Sequence, residues 1–265
     1  MCYSNLKVAW SRSPVVETVV GRTLIHLPVA KEQAVELIVD GLSLVTFMCT
    51  PHDLKELALG HLWGRQIIDS LRDVHTMGVC DDMSVIAVSL SGVLPGDLGP
   101  GGFLTSACGS GGYLDEESLP RDRVSSVLSI SGDFLRKCFR DMYRAARQYR
   151  KGGGIHSAAL IDHTGVLDVR EDVGRHNAVD KTLGFCLISG HDPAECGLIT
   201  TGRLSSDMVL KALATGIGLV ATRSIPTSLA VEIAEATGMT LIGRGQRSRP
   251  YVYCGVHRYA EQSGS

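Results

Sequence analysis

The pattern of apolar and polar positions predicts short strands and one helix in the first third of the chain. Stretches rich in Val, Ile, Leu and Thr indicate strands, at residues 18–27, 34–39, 42–49 and 84–90. Asp40-Gly41 stands between two of these stretches and is typical of a two-residue hairpin turn. Thr50-Pro51 then predicts a helix start, with Thr50 as the N-cap and apolar positions continuing to Leu62.

Beyond residue 130 the pattern changes to an alternation of helices and strands. Ser131 is the predicted N-cap of a helix over residues 131–149, which has one apolar face. A hairpin joins 157–162 to 166–169. Helices follow at 175–187, 205–215 and 226–236, the last of them closed by Gly238, and strands at 197–201, 218–222, 239–243 and 251–254. This alternation is typical of an α/β sheet with helices on its faces. We therefore expect two domains, a smaller N-terminal α+β domain over residues 14–120 and a C-terminal α/β domain over 121–256.

The segment between these domains has a different composition. Residues 91–120 contain eight glycines and three prolines, so regular structure is improbable there. Cys108 lies in the middle, flanked by small residues that leave its sulfur accessible to another protein. The segment is either a mobile functional loop carrying Cys108 or a linker in which Cys108 is incidental.

Composition narrows the classes of protein further. The chain has 265 residues, 44% of them hydrophobic and 20% charged, and a formal net charge of -2, which argues against a general binder of nucleic acid. We find neither a run long enough to span a bilayer nor a secretion signal in the sequence. Eight cysteines without a C-x-x-C pair suit a reducing compartment, so we expect a cytoplasmic protein.

The densest polar stretch is EDVGRHNAVDK, residues 171–181, between two apolar runs. One interpretation is a loop entering a helix, where backbone N–H groups and Arg175 meet an anion. The other is a charged helix start with Asp172 as N-cap.

Other polar motifs also fall at predicted junctions between strands and helices. They are residues 154–156, 201–205 and 224–228, together with a tail that contains Arg244, Arg247 and Arg249. Such junctions provide free N–H groups and guanidinium forks, which suit a diphosphate, and Asp172, Asp180 or Asp207 could accept hydrogen bonds from a guanine. Each junction taken singly could equally be an ordinary capped turn.

Several of these segments together resemble the formate dehydrogenase accessory sulfurtransferase family (FdhD). The similar blocks are MCTP (48–51), LALGHL (57–62), GGIHSA (153–158), EDVGRHNAVDK (171–181), TGRLS (201–205), PTSLA (226–230) and TLIG (240–243). The resemblance implies a C-terminal three-layer α/β/α domain of the cytidine-deaminase-like fold. It also implies a sulfur carrier that takes sulfur from a cysteine desulfurase and delivers it to the molybdenum cofactor of formate dehydrogenase, and it suggests a homodimer.

The resemblance also implies site residues. Cys108 falls at the position of the family's persulfide, and the cofactor, bis-molybdopterin guanine dinucleotide, is the bound substrate, which a guanine nucleotide would mimic. The resemblance places the cofactor at Arg244, Gly245, Gln246, Arg247, Ser248 and Arg249, and the polar motifs add Asp172, Arg175, His176 and Arg203 to the expected cofactor-binding residues. His156 and His176 are either groups that tune protonation near the cofactor or structural histidines.

One position departs from the family pattern. The family loop usually reads Cys-Gly-x-Cys-Gly, whereas Gly111 stands here in place of the second cysteine. A single thiolate suffices to accept and pass on sulfur, but a resolving disulfide is lost. A non-catalytic cofactor-binding chaperone is therefore the alternative. A zinc-dependent deaminase, which the implied fold suggests, is disfavoured because the sequence lacks both H-x-E and P-C-x-x-C motifs.

Overall fold

The structure, a computed structural model, describes residues 15–20, 23–92 and 124–260. Cys108, Gly111 and nearly all of the predicted mobile loop lie outside the described residues. The strands are β1 (Val15–Val20), β2 (Thr23–Pro28), β3 (Gln33–Val39), β4 (Leu42–Cys49), β5 (Val74–Val79), β6 (Val85–Leu90), β7 (Ile130–Ser131), β8 (His156–Asp162), β9 (Gly165–Asp172), β10 (Gly197–Thr200), β11 (Leu219–Thr222), β12 (Thr240–Gly243), β13 (Tyr251–Cys254) and β14 (Tyr259–Ala260). The helices are α1 (Leu54–Gly64), α2 (Gly132–Ala145), α3 (Arg147–Gly152), α4 (Arg175–Ser189), α5 (Ser206–Ala214) and α6 (Ser228–Thr237).

A six-stranded sheet in the order β13-β12-β11-β10-β8-β9 forms the centre of the C-terminal part. Strands β10, β11 and β12 are parallel, and β8, β9 and β13 run antiparallel to their neighbours. On one face, side chains such as Leu160, Leu198 and Val220 pack with the buried residues of α4, α5 and α6. On the other face, Ile161 and Ile199 belong to a second cluster that α2 completes. The α/β sheet with helices on its faces that the alternation predicts is confirmed, and its layers are the three, α/β/α, that the resemblance implies.

The N-terminal part is α+β, as predicted, and it shares a core with the central sheet. Strands β4-β3-β6-β5 form a four-stranded sheet that packs with α1. The buried residues of that sheet and of α1 lie in the same hydrophobic cluster as those of α4 to α6. The predicted boundary between the domains, after residue 120, lies outside the described residues and stays a prediction.

Several local signals read from the sequence are confirmed. Asp40 and Gly41 have φ of 47° and 80°, as a two-residue hairpin between β3 and β4 requires. Ser131 caps α2 by accepting a hydrogen bond from the Phe134 N–H at 3.2 Å. Gly238 ends α6 with a left-handed φ of 72°, a conformation that costs glycine little.

Three expectations are wrong. The single strand over 18–27 is two antiparallel strands, β1 and β2, with strand-breaking Gly21 between them in sequence. The helix over 131–149 is interrupted at Ala146, whose ψ is 91°. Thr50 is not the N-cap of α1, which begins after Asp53, because both the backbone and the hydroxyl of Thr50 bond to residues of another segment. The short strands β5, β7 and β14 carry too little pattern to have been predicted.

Helices α1 and α4 cross at two glycines. A Cβ on Gly60 would lie 1.8 Å from the carbonyl oxygen of Asp180, and one on Gly184 would lie 2.0 Å from that of Glu56. Backbone atoms therefore meet directly at this crossing, which joins the N-terminal part to the central sheet. Among the helices that the structure describes, we find none with the length and apolarity needed to cross a membrane.

Replacing Gly60 with Ala should destabilise the fold by about 3 kcal/mol, because the added methyl group has to push two helix backbones apart. Urea unfolding monitored by circular dichroism measures this loss. Gly78→Ala is the matched control, since a Cβ on Gly78 has nothing within 4 Å, and it should change stability by less than about 0.5 kcal/mol. Equal stability of the two variants would show that the crossing is not tightly packed.

Candidate functional site

The polar motifs converge at one edge of the central sheet, where β10, β11 and β12 end. The N–H of Thr201 donates to Ser157 at the start of β8, and the N–H of Arg223 donates to Thr200, both at 2.9 Å. The N–H of Gly245 donates to Thr222, also at 2.9 Å. Carboxyl ends of parallel strands are where ligands of such sheets collect. The edge is therefore the candidate site, and we name it the strand-end site.

Asp172 ends β9 at this edge and is completely buried. Its Oδ2 accepts from Lys181 Nζ at 2.7 Å and from the Thr50 N–H at 3.1 Å. Its Oδ1 accepts from the Gly174 N–H at 2.8 Å and from Asn177 Nδ2 at 3.0 Å. Asp172 is thus neither a helix N-cap, which is Gly174, nor exposed to a ligand. Its contacts give it a positioning role, and they do not support the predicted contact with a cofactor.

The other two aspartates considered for a guanine are also engaged. Both oxygens of Asp180 lie 2.7 Å from Lys211 Nζ. Burial alone would raise the pKa of Asp180, but the ammonium group of Lys211 and the His61 ring hold it at about 2. Asp207 lies 3.6 Å from Arg65 and 3.9 Å from Lys211. These carboxylates stabilise the packing of α1, α4 and α5.

Arg175 and Arg203 place guanidinium groups at the strand-end site. The side chain of Arg175 lies flat on Gly202, where an added Cβ would come within 2.9 Å of the Arg175 Cβ. Its Nε is buried and has no hydrogen-bond partner in the described part of the chain. Arg203 is exposed. Both are available to an anion, and their predicted role in cofactor binding stays a prediction.

His176 and His156 are held as neutral rings at the same edge. His176 Nε2 lies 3.2 Å from Ser205 Oγ and 4.0 Å from an oxygen of Asp207. Burial lowers the pKa of His176 to about 4. His156 Nδ1 lies 3.4 Å from Thr201 Oγ1, and burial, with the charge of Arg175, lowers its pKa too. At neutral pH both rings act through hydrogen bonds and not through charge.

The tail after β12 forms one wall of the site. Arg244 adopts a left-handed φ of 54°, and its Nε is buried without a partner among the described residues. Gly245 packs on the ring of Phe139, which leaves no room for a Cβ. Arg247, Ser248 and Arg249 are exposed.

A cavity of about 630 Å³ next to this tail includes residues that the sequence reasoning missed. Four arginines and two tyrosines line it, together with Gln246 of the tail: Arg136, Arg140, Arg144, Arg150, Tyr143 and Tyr149. Arginines every four residues along α2 place their guanidinium groups on one helix face. That spacing is visible in the sequence and could have identified them.

Cysteines in the described ranges are mostly structural. Cys49, Cys138, Cys186, Cys196 and Cys254 are buried, whereas Cys80 is exposed in the turn before β6. Burial raises the pKa of Cys49 to about 12 and that of Cys138 to about 11, so neither forms a thiolate at neutral pH. The predicted nucleophile, Cys108, lies outside the described residues.

Comparison with known proteins gives concordant matches. The model of the FdhD/NarQ family matches residues 30–260. A relative from Shouchella clausii, named sulfur carrier protein FdhD, is 35% identical over 229 residues, which are 82% of this chain and 84% of that protein. A relative of the same name from Bacillus subtilis is 31% identical over 231 residues, 85% and 87% of the two chains. A crystal structure from Desulfotalea psychrophila, assigned as a formate dehydrogenase accessory protein, has a TM-score of 0.73 at 25% identity and covers 93% of this chain and 96% of its own.

The depressed pKa of His176 makes the fold less stable in acid. An unfolded chain binds a proton at this residue below about pH 6.5, whereas the folded protein binds it only near pH 4. Stability should therefore fall by up to about 3 kcal/mol as the pH decreases from 6.5 to 4. Urea unfolding across this range measures the loss, which should be smaller in His176→Gln.

Nuclear magnetic resonance titration of the labelled histidine ring checks the cause directly. A pKa of His176 near 6.5 would contradict it. His163→Gln is the control for the urea unfolding measurement. The side chain of His163 is 78% exposed, so this substitution should change the stability at pH 7 by less than about 0.5 kcal/mol.

Proposed function

Because the chain belongs to the FdhD/NarQ family, we propose that it is a sulfur carrier in the maturation of formate dehydrogenase. The observation that carries this proposal is the family match across residues 30–260, together with relatives that are named sulfur carrier proteins. The solved neighbour assigned as a formate dehydrogenase accessory protein supports the same enzyme as the recipient.

Cys108 is the proposed carrier. Its thiolate attacks the terminal sulfur of a persulfide on a cysteine desulfurase, the sulfur–sulfur bond of the donor breaks, and the donor leaves as a thiolate. The terminal sulfur then passes from Cys108 to the substrate, which regenerates the Cys108 thiol. The first transfer needs no oxidant or reductant, because a sulfane sulfur is exchanged between two thiolates. In the second, the bond between the Cys108 sulfur and the terminal sulfur breaks, and the accepting substrate supplies the two electrons that convert the sulfane sulfur to sulfide. On this proposal the protein is a sulfurtransferase.

The substrate is proposed to be the molybdenum cofactor in its bis-molybdopterin guanine dinucleotide form. The strand-end site supports this proposal through the starts of α4, α5 and α6, which follow the strand ends, and through arginines whose Nε atoms have no partner in the described ranges. Arg175, Arg203 and the tail of residues 244–249 would hold phosphates there. His176 would present an uncharged imidazole beside these phosphates. Asp172 would hold the connection between β9 and α4 in place through its bonds to Gly174 and Asn177.

Domain division, location, oligomeric state and partner proteins complete the proposal. We propose a division into two domains at about residue 120, a cytoplasmic location and a homodimer. A cysteine desulfurase is the proposed donor and formate dehydrogenase the proposed recipient.

The specific observation that favours a second candidate function is Gly111. It stands where the family loop usually has its second cysteine, so a protein that binds the cofactor without transferring sulfur is the alternative. The two functions differ in a single property, the requirement for the Cys108 sulfur.

Incubation with an active cysteine desulfurase and cysteine should add one sulfur atom to the protein. Intact-mass spectrometry measures the gain, which a thiol reductant should remove. Cys108→Ala should lose the gain completely, since alanine has no nucleophile. Cys80→Ala is the matched control, because Cys80 is the exposed cysteine of the described residues, and it should retain the full gain.

A gain that survives Cys108→Ala and disappears in Cys80→Ala would contradict the assignment of the carrier. Absence of any gain in the unmodified protein, combined with formate dehydrogenase activity restored by Cys108→Ala in cells that lack this protein, would replace the carrier with the chaperone.

A further inference from the structure

The cavity between α2, α3 and the tail after β12 has an unusual charge. Residues 132–152 carry seven Lys or Arg and two Asp, whereas the whole chain has a net charge of -2. None of the residues that line the cavity is a carboxylate. Like charges four residues apart on a helix repel one another, so the α2 stripe is unfavourable unless something compensates it.

Internal compensation of this stripe is incomplete. Arg136 pairs with Asp133, and Arg144 with Asp141 at 3.5 Å, both on the solvent-exposed side of the helix. Arg140 has neither an ion pair nor a hydrogen bond to any residue that the structure describes. Neither Arg140 nor Arg150 pairs with a carboxylate in the described ranges, so the cavity retains positive charge.

The cavity is formed by a specific break in the helix. At Ala146 the chain leaves the helical conformation without a glycine or proline, and α3 then starts in a new direction. The buried carboxylate of Glu171 accepts the N–H groups of Gln148 at 3.0 Å and Tyr149 at 2.8 Å, and so caps α3. The break turns Tyr149 and Arg150 toward the same space as the arginines of α2.

Neighbouring groups leave hydrogen-bonding capacity on the cavity wall. Tyr149 accepts a hydrogen bond from Arg223 Nη1 at 2.7 Å, and the Arg223 guanidinium lies 5.7 Å from the centre of the Tyr143 ring. Gln246 Oε1 is buried and has no partner within the described part of the chain. A buried polar atom without a partner is costly. This amide oxygen is an acceptor, so a donor group of a ligand, such as a hydroxyl or an amine, would satisfy it, whereas a phosphate oxygen would not.

We propose that this arginine cavity binds the diphosphate group of a phosphorylated ligand. Guanidinium forks of Arg140, Arg144 and Arg150 would make charge-assisted hydrogen bonds to the phosphate oxygens, which compensate the charge of α2. The site is additional to the strand-end site, although Gln246 and Arg223 connect the two. That the diphosphate belongs to the cofactor rests on the proposed function; the anion site itself does not.

Isothermal titration of the full chain with inorganic pyrophosphate tests the proposal. Arg140→Gln should weaken binding about tenfold, because it removes charge-assisted hydrogen bonds. The double variant Arg140→Gln/Arg144→Gln should weaken it further. Arg72→Gln is the control, since Arg72 is an exposed arginine that does not line the cavity, and its affinity should stay within about twofold of the unmodified protein.

Two results would overturn the proposal. Equal weakening by Arg140→Gln and Arg72→Gln would show unspecific attraction to positive charge. Full affinity in Arg140→Gln with loss in Arg203→Gln would assign the anion to the strand-end site alone. Pyrophosphate binding and the sulfur gain are separate measurements on the unmodified protein. Normal pyrophosphate binding without a sulfur gain would defeat only the proposed function. A sulfur gain without pyrophosphate binding would defeat only the cavity proposal.

Discussion

The buried ion pair of Asp172 and Lys181 is the interaction on which the rest of the structure depends. Both side chains are completely buried, and their charged atoms lie 2.7 Å apart. Lys181 Nζ also donates to the carbonyl oxygens of Thr50 at 3.0 Å and Glu171 at 3.3 Å. An unpaired charge at this depth would cost several kcal/mol, so the residues around the pair have little freedom to separate. The pair thereby fixes the segment before α1 against the end of β9 and the start of α4.

Consequences of this constraint extend in both directions along the chain. Toward the N-terminus it places α1 where Gly60 meets the backbone of α4. Toward the site it holds Glu171, the neighbour of Asp172, where its carboxylate caps α3. Tyr149, whose N–H donates to that carboxylate, lines the arginine cavity. The strand-end site and the cavity are thus built around one buried charge pair, and both present cationic groups to a ligand. On the proposed function, the substrate is a large anion, and such rigid positioning of its phosphate contacts would serve its transfer chemistry.

Local signals in the sequence predicted the features that local physics determines. The hairpin at Asp40-Gly41, the Ser131 cap and the alternation of strands and helices depend on residues within a few positions of one another. The role of Thr50 depends on Asp172, 122 residues away, and the break at Ala146 depends on Glu171. Neither has a local signature, so the sequence favoured an ordinary N-cap and a continuous helix. The burial of Asp172 could not be read from the sequence either. Asp172 stands in a polar motif typical of a ligand contact, but it is a buried structural carboxylate.

A double-mutant cycle on Asp172→Asn and Lys181→Met tests the central role of the pair most directly. Free energies of unfolding from urea denaturation give the coupling between the two positions. Each single variant should lose about 3 to 5 kcal/mol, since it leaves one buried charge uncompensated, and the double variant should lose at least about 2 kcal/mol less than the sum. Losses that add to within about 0.5 kcal/mol would show that the two residues act independently, and would contradict the account.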